Sequence, residues 1–182
     1  MEKVYKTSET STSDEDLNKN IPNIRIIKYE DLDKYDSIEK MLPDKIDSVI
    51  ILFESKPDVG HWVCVVRIDK NIMFFDPYGY RPDKFLLFTP KYMRKRLNQD
   101  IPYLSLMLND AIDNKLKVTF NQYPFQSREN LAYKTCGRQV ISFILYCINN
   151  KNPTIKKYKV FLDKLNERHD LNYDLLVSKY FP

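Results

Sequence analysis

The chain has 182 residues, of which 43% are hydrophobic and 30% charged, with a net charge of +4. That length holds one catalytic domain at most and is ample for a buried core, no apolar run approaches the roughly 18 to 20 residues of a membrane-spanning helix, and Met1 to Asn20 has no apolar segment of the secretory type, so reduced thiols are expected. The small positive excess is spread along the chain, which fits ordinary solubility better than a nucleic-acid footprint.

Residues 1–21 carry a Ser/Thr and acidic cluster from Lys6 to Asp16 with little to bury, and are expected to form a flexible polar arm ahead of a single domain over 22–182. Leu32, Tyr35, Ile38 and Leu42 recur every three to four residues and predict a short amphipathic helix within Tyr29–Leu42, ended by Pro43. The period then changes. Ser48–Phe53, His61–Ile68 and Ile72–Phe75 are β-branched and aromatic runs that read as neighbouring central strands. Pro77, Gly79, Pro82 and Pro90 break the chain into a loop, after which Tyr92–Asn98 and Tyr103–Asn114 read as helices and Val118–Tyr123 as a strand. Thr135–Ile148 is apolar around nearly its whole circumference, so it must be an enclosed helix, with Thr135 at the N-cap. Lys156–Lys179 reads as two terminal helices packed on the body. Only three glycines occur, Gly60, Gly79 and Gly137, and each is expected where a side chain would clash or the backbone needs a positive φ.

Three cysteines without a Cys-x-x-Cys pair make neither a disulfide framework nor a zinc module, so any chemistry is of the single-thiol kind. Cys136 stands in the first turn of the enclosed helix, where unpaired amides and the helix dipole favour a thiolate. Cys64 and Cys147 read as small core residues. His61 and Cys64 resemble a metal pair, but an odd offset along a strand sends them to opposite faces. Of the two histidines, His169 lies in a charged segment and is expected to face solvent, whereas His61 opens a core strand beside the only tryptophan, Trp62, and is the better base. Asp76 ends the next strand, where a carboxylate can hold an imidazole in one tautomer. A side-chain amide for an oxyanion is expected at Gln126, with Gln122 as the competitor. A two-residue hairpin at Lys70-Asn71 would leave His61 and Asp76 four residues out of register, about 13 Å along the strand, so a bulge, a shifted turn or strong twist must bring them together.

Taken in order, Gly60-His61-Trp62, Phe75-Asp76-Pro77-Tyr78-Gly79, Gln126 and Thr135-Cys136-Gly137 resemble the His-Trp, Asp, Gln, Cys-Gly pattern of the adenain-like cysteine proteases. That group includes adenovirus maturation protease, related proteases of large DNA viruses and virophages, and the SUMO and ubiquitin-like-protein-specific proteases. The resemblance spans Val49 to Ile148 and is strongest to the viral branch. It implies an α+β fold of the papain-like, adenain type, with a central mixed sheet packed against helices and the nucleophile at the N-terminus of a buried helix. In that pattern Cys136 is the nucleophile, His61 the general base and then acid, Asp76 the residue that orients the imidazole, and Gln126 the oxyanion donor alongside the Cys136 amide. Trp62 would wall a narrow groove for substrates with Gly-Gly or Gly-x-Gly before the scissile bond, neither of which occurs in this chain. The Gln126-to-Cys136 spacing is longer than the six or seven residues usual in relatives, which implies an inserted loop through Arg128 to Tyr133 or a different amide donor.

The function so implied is that of a viral cysteine endopeptidase that cleaves capsid or core precursors in the host cytoplasm and the virion. Its partner is a protein substrate, with no cofactor, metal or membrane. The same chemistry directed at ubiquitin or a ubiquitin-like modifier is the alternative, and a catalytically inert α+β interaction domain is a third reading. Some relatives are stimulated by DNA or a peptide; here the basic run Lys91–Arg96 is the one candidate contact for such an activator, and a solvated helix face explains it more simply.

Overall fold

Three runs of β-branched and aromatic residues form the centre of a five-stranded sheet in the computed structural model, which describes residues 1–182. β1 (Arg25–Lys28), β2 (Ile46–Lys56), β3 (Val59–Ile68), β4 (Asn71–Phe75) and β5 (Lys117–Phe120) lie side by side in chain order. β2, β3 and β4 pair antiparallel, while β1 joins β2 and β5 joins β4 in parallel, so the sheet is mixed. The eight helices are α1 (Glu2–Ser8), α2 (Asp14–Asn20), α3 (Ile38–Met41), α4 (Lys91–Arg96), α5 (Tyr103–Asp113), α6 (Cys136–Asn149), α7 (Ile155–His169) and α8 (Tyr173–Tyr180).

Both faces of the central strands are covered, which is why their sequences run apolar without alternation. On one face Ile50, Leu52, Trp62, Cys64, Met73 and Phe75 pack against Val140, Ile141, Phe143 and Ile144 of α6 and Tyr158 of α7. On the other, Val49, Ile51, Val63, Val65, Ile72 and Phe74 pack against Leu104, Met107 and Leu108 of α5. Helix α6 is buried from Gly137 through Ile144, as its apolar circumference requires. The α+β class, the central mixed sheet between helices and the cysteine at the first residue of the buried helix all agree with the sequence expectation.

Residues 1–21 depart from it. They are two helices laid on the body rather than a flexible arm. Ser13 and Asp16 form a reciprocal capping box that starts α2; Leu17 and Ile21 are buried in the core under the sheet; and the Arg138 guanidinium donates to the Thr10 carbonyl at 2.7 Å. Two buried apolar side chains in a polar segment suffice because α6 packs against α2 and α8 against α1.

The helix expected over Tyr29–Leu42 is likewise divided into a 3-10 segment, Tyr29–Lys34, and α3. Ser37 accepts the Lys40 amide and so restarts the chain as a new helix, and the Tyr29 hydroxyl donates to the buried Asp83 carboxylate at 2.5 Å.

The hairpin between β3 and β4 turns at Asp69-Lys70, one residue earlier than the sequence suggested, with Asp69 at φ 53°. Ile68 therefore pairs with Asn71 and Cys64 with Phe75. Continued by one step, that register sets Asp76 opposite Val63. The four-residue offset between His61 and Asp76 becomes two, roughly 7 Å along the strand, on the same face. Of the three devices expected to close the gap, the shifted turn closes half of it.

Candidate active site

His61 sits where β3 projects past the end of β4. Its Nε2 is 3.0 Å from Asp76 Oδ1, with both side chains almost wholly buried. Asp76 Oδ1 also accepts the Tyr78 amide at 2.7 Å, so a turn two residues downstream aims the carboxylate. The Asp76 backbone is clamped in turn: its amide donates to Asn121 Oδ1 at 3.0 Å, and its carbonyl accepts from Asn121 Nδ2 at 2.6 Å. The imidazole lies between the rings of Tyr78 and Phe85, each stacked with centroids 4.7 Å away. With Nε2 committed to Asp76, Nδ1 is the nitrogen left for a reacting partner.

That partner is Cys136. Its thiol and the His61 ring face each other, and the amides of Trp62 and Gly137 face the sulfur. Burial alone would raise the thiol pKa; the hydrogen bond and charge of His61, with the two amides, outweigh it and bring the thiol below its ordinary value. For His61 burial works downward, but the Asp76 charge and hydrogen bond, with Cys136, lift the ring to about 9. Both shifts favour a thiolate–imidazolium pair. Trp62 has a free amide to offer because β4 ends at Phe75 and leaves this stretch of β3 without a strand on that side. The other two thiols lie in the core: burial pushes Cys147 up to about 12 and raises Cys64 well above its ordinary value.

Gln126 is buried beside this group, whereas Gln122 is exposed on the surface. The Gln126 amide nitrogen donates to the Tyr133 carbonyl at 2.9 Å and the Tyr78 hydroxyl at 3.2 Å, and its Oε1 is buried without a partner. The segment from Arg128 to Tyr133 is an exposed loop whose end returns to Gln126 through that Tyr133 carbonyl, which accommodates the long spacing to Cys136. His169 is half-buried far along the chain and bonds Tyr180 and Lys179 instead.

The indole of Trp62 lines an open cleft of about 680 Å³ together with Leu52, Val59, Gly60 and residues 11–15. Its Nε1 donates to the Thr12 carbonyl at 3.1 Å. Thr12 also closes on Gly137, where a Cβ would fall 2.5 Å from the threonine side chain, so only glycine fits after Cys136. Gly79 is needed for a different reason: its φ is +69° and a Cβ would meet the Tyr123 carbonyl at 2.5 Å.

Sequence reasoning missed the supports. Tyr78, Phe85 and Asn121 hold His61 and Asp76 in place, and of these only Tyr78 carried a signal, standing inside the Asp76–Gly79 turn.

An uncharacterized protein, V9, of Sputnik virophage is 34% identical over 154 residues, which span 84% of this chain and 83% of V9. The chain belongs to the V9 family. V9 itself is uncharacterized, so the kinship names no activity. No protein-family model matches the chain. Among solved structures, the SUMO protease Ulp1 with its catalytic cysteine oxidized to a sulfinic acid aligns over 97% of this chain and 75% of its own, at 15% identity and a TM-score of 0.34. HopZ1a in complex with IP6 and CoA aligns over 90% of this chain and 44% of its own, at 13% identity and a TM-score of 0.33. Superpositions of that quality leave the chemistry of this V9-family chain to be read from its own side chains.

Proposed function

We propose that the chain is a cysteine protease in which Cys136 is the nucleophile, His61 the general base and acid, and Asp76 the residue that orients the ring. The observation that carries this reading is the buried His61–Asp76 pair at 3.0 Å beside Cys136, whose sulfur stands at the start of a buried helix and whose thiol His61 draws below its ordinary value.

The thiolate attacks the scissile carbonyl, and the negative charge that develops on the carbonyl oxygen is held by amides at the start of α6 and by the Gln126 amide, released from its longer contact to Tyr78. His61, protonated through its Nδ1, gives that proton to the departing amine. Water then attacks the thioester with His61 as base, freeing the carboxylic acid and restoring the thiol. The resemblance to the adenain-like proteases implies substrates with Gly-Gly or Gly-x-Gly before the cleaved bond, and the virophage relative supports a viral setting. The finer reading is that the enzyme matures capsid or core precursors in the host cytoplasm and the virion.

The test is cleavage of a precursor containing Gly-x-Gly by wild-type chain and by Cys136→Ala. Loss of cleavage in a folded variant is expected, and retained cleavage removes the assignment. An electrophilic ubiquitin probe decides the substrate class: rapid capture at Cys136 replaces maturation with deconjugation of a ubiquitin-like modifier.

A further inference from the structure

We infer that Asp174 is the positioning residue of this site: its single carboxylate pins both sides of the oxyanion pocket and keeps the first amides of α6 uncapped. The inference rests on the cysteine-protease reading above.

Asp174 comes from the first turn of α8 and is 3% exposed. No lysine or arginine pairs with it, and burial raises its pKa. A buried carboxylate without a cation is costly to keep unless its hydrogen bonds are made. Here they reach the two segments that frame the nucleophile. Oδ2 accepts the Ser127 amide at 2.9 Å, adjacent to Gln126, and Oδ1 accepts the hydroxyl of Thr135, adjacent to Cys136.

The second contact changes what Thr135 does. A threonine at an N-cap ordinarily turns its oxygen onto the amides two and three residues on. Those are the amides of Gly137 and Arg138, and neither receives it: Thr135 makes no side-chain cap, and its backbone, at φ −100° and ψ 4°, lies outside the extended region a capping residue uses. The first backbone bond into the helix is that of Gln139 to the Thr135 carbonyl. With its hydroxyl drawn toward α8, Thr135 leaves the amides of Cys136, Gly137 and Arg138 without an oxygen partner, and the one at Gly137 faces the sulfur. Open amides at a helix start are what a thiolate and an oxyanion require. The carboxylate reaches across 39 and 47 residues of sequence to arrange this.

Two rates measured on the full chain test the idea: turnover of a fluorogenic peptide amide with Gly-Gly before the leaving group, and alkylation of Cys136 by iodoacetamide. Alkylation needs the thiolate but forms no oxyanion. Asp174→Ala is expected to lose about 10²-fold in kcat with KM changing by less than about threefold, and to slow alkylation by a smaller factor than kcat, because a Thr135 hydroxyl freed onto the Gly137 amide weakens one of several supports of the thiolate. Asp174→Asn can still accept from Ser127 and donate to Thr135, and is expected to recover most of that loss.

The double variant Asp174→Ala/Thr135→Val removes the hydroxyl that would otherwise turn back onto the amides, and should be faster than Asp174→Ala alone. Unchanged kcat in Asp174→Ala, or a double variant no faster than the single one, overturns the inference. If Asp174→Ala does not fold by circular dichroism, Asp174→Leu takes its place with the same outcomes, because its near-isosteric side chain fills the space and accepts from neither partner. A wild-type Cys136 that neither cleaves the peptide nor alkylates faster than free cysteine overturns the protease reading and the inference together. A reactive wild type indifferent to position 174 overturns the inference alone.

Discussion

Replacing Asp76 by Asn separates the orienting role of this residue from its charge. An Asn beside a catalytic histidine can turn its amide nitrogen toward the ring and impose the wrong tautomer. Here one oxygen, Oδ1, accepts both from His61 Nε2 at 3.0 Å and from the Tyr78 amide at 2.7 Å. The Tyr78 N–H needs an acceptor, so the amide oxygen of the substituted side chain stays in place, Nε2 keeps its proton and Nδ1 still faces Cys136. What is lost is the charge. A hydrogen bond to a charged group is worth about 1.5–3 kcal/mol and a neutral one about 0.5–1.5, a difference of roughly 1–1.5 kcal/mol, or about one pKa unit.

Asp76→Asn should therefore slow turnover only about tenfold and move the high-pH limb of activity down by about one unit. In the wild type that limb reports loss of the imidazolium proton near 9, since Asp76 raises the ring and the proton leaves as pH passes that value. Asp76→Ala, which offers no acceptor, should fall by about 10³- to 10⁴-fold. The assay is the pH profile of kcat for a Gly-Gly peptide amide with each variant. An Asn variant as slow as the Ala variant, or one whose upper limb stays near 9, would refute the argument that Tyr78 fixes the oxygen.

The depressed Cys136 thiol and the raised Cys64 and Cys147 thiols should make alkylation at neutral pH selective for Cys136, read by mass spectrometry of the labelled peptides; equal labelling of all three contradicts the burial that separates them. Leu17→Ala removes a fully buried side chain from the core and should cost about 2–5 kcal/mol in urea unfolding, whereas a loosely attached first helix pair would give no measurable change. Gly79→Ala forces a side chain into both a positive φ and the Tyr123 carbonyl, so a loss of more than about 1 kcal/mol is expected from the backbone conformation alone. The same variant should slow turnover, because the turn it distorts carries the Tyr78 amide that aims Asp76.

Much of the site was legible because its parts are announced locally. The apolar circumference of residues 135–148 fixes a buried helix, and its first turn contains a cysteine whichever way the helix packs. A β-branched run beginning at His61 fixes a central strand, and Asp76-Pro77 fixes where the next one stops. The N-terminal helices were not legible: their composition is polar, and their order comes from a capping box and from Arg138 and Trp62, residues more than a hundred and about fifty positions away. The Tyr29–Leu42 region misled for a related reason. Its apolar spacing suits one helix, but Ser37 caps a second start, and a local hydrogen bond outweighs an apolar pattern of that length.

The sequence by itself determined the three central strands, the enclosed helix and the residue types available for thiol chemistry, because periodicity and steric preference act over a few neighbours; the four-residue edge strand β1 is too short to carry such a signal. Tertiary structure alone decided that the hairpin turns at Asp69-Lys70, which sets His61 within reach of Asp76, and that a carboxylate from α8 holds the approach to Cys136. A one-residue slip in that turn changes no local preference enough to notice, yet it moves the cross-strand partner by two residues. Such a choice is settled only when both faces of the sheet are packed.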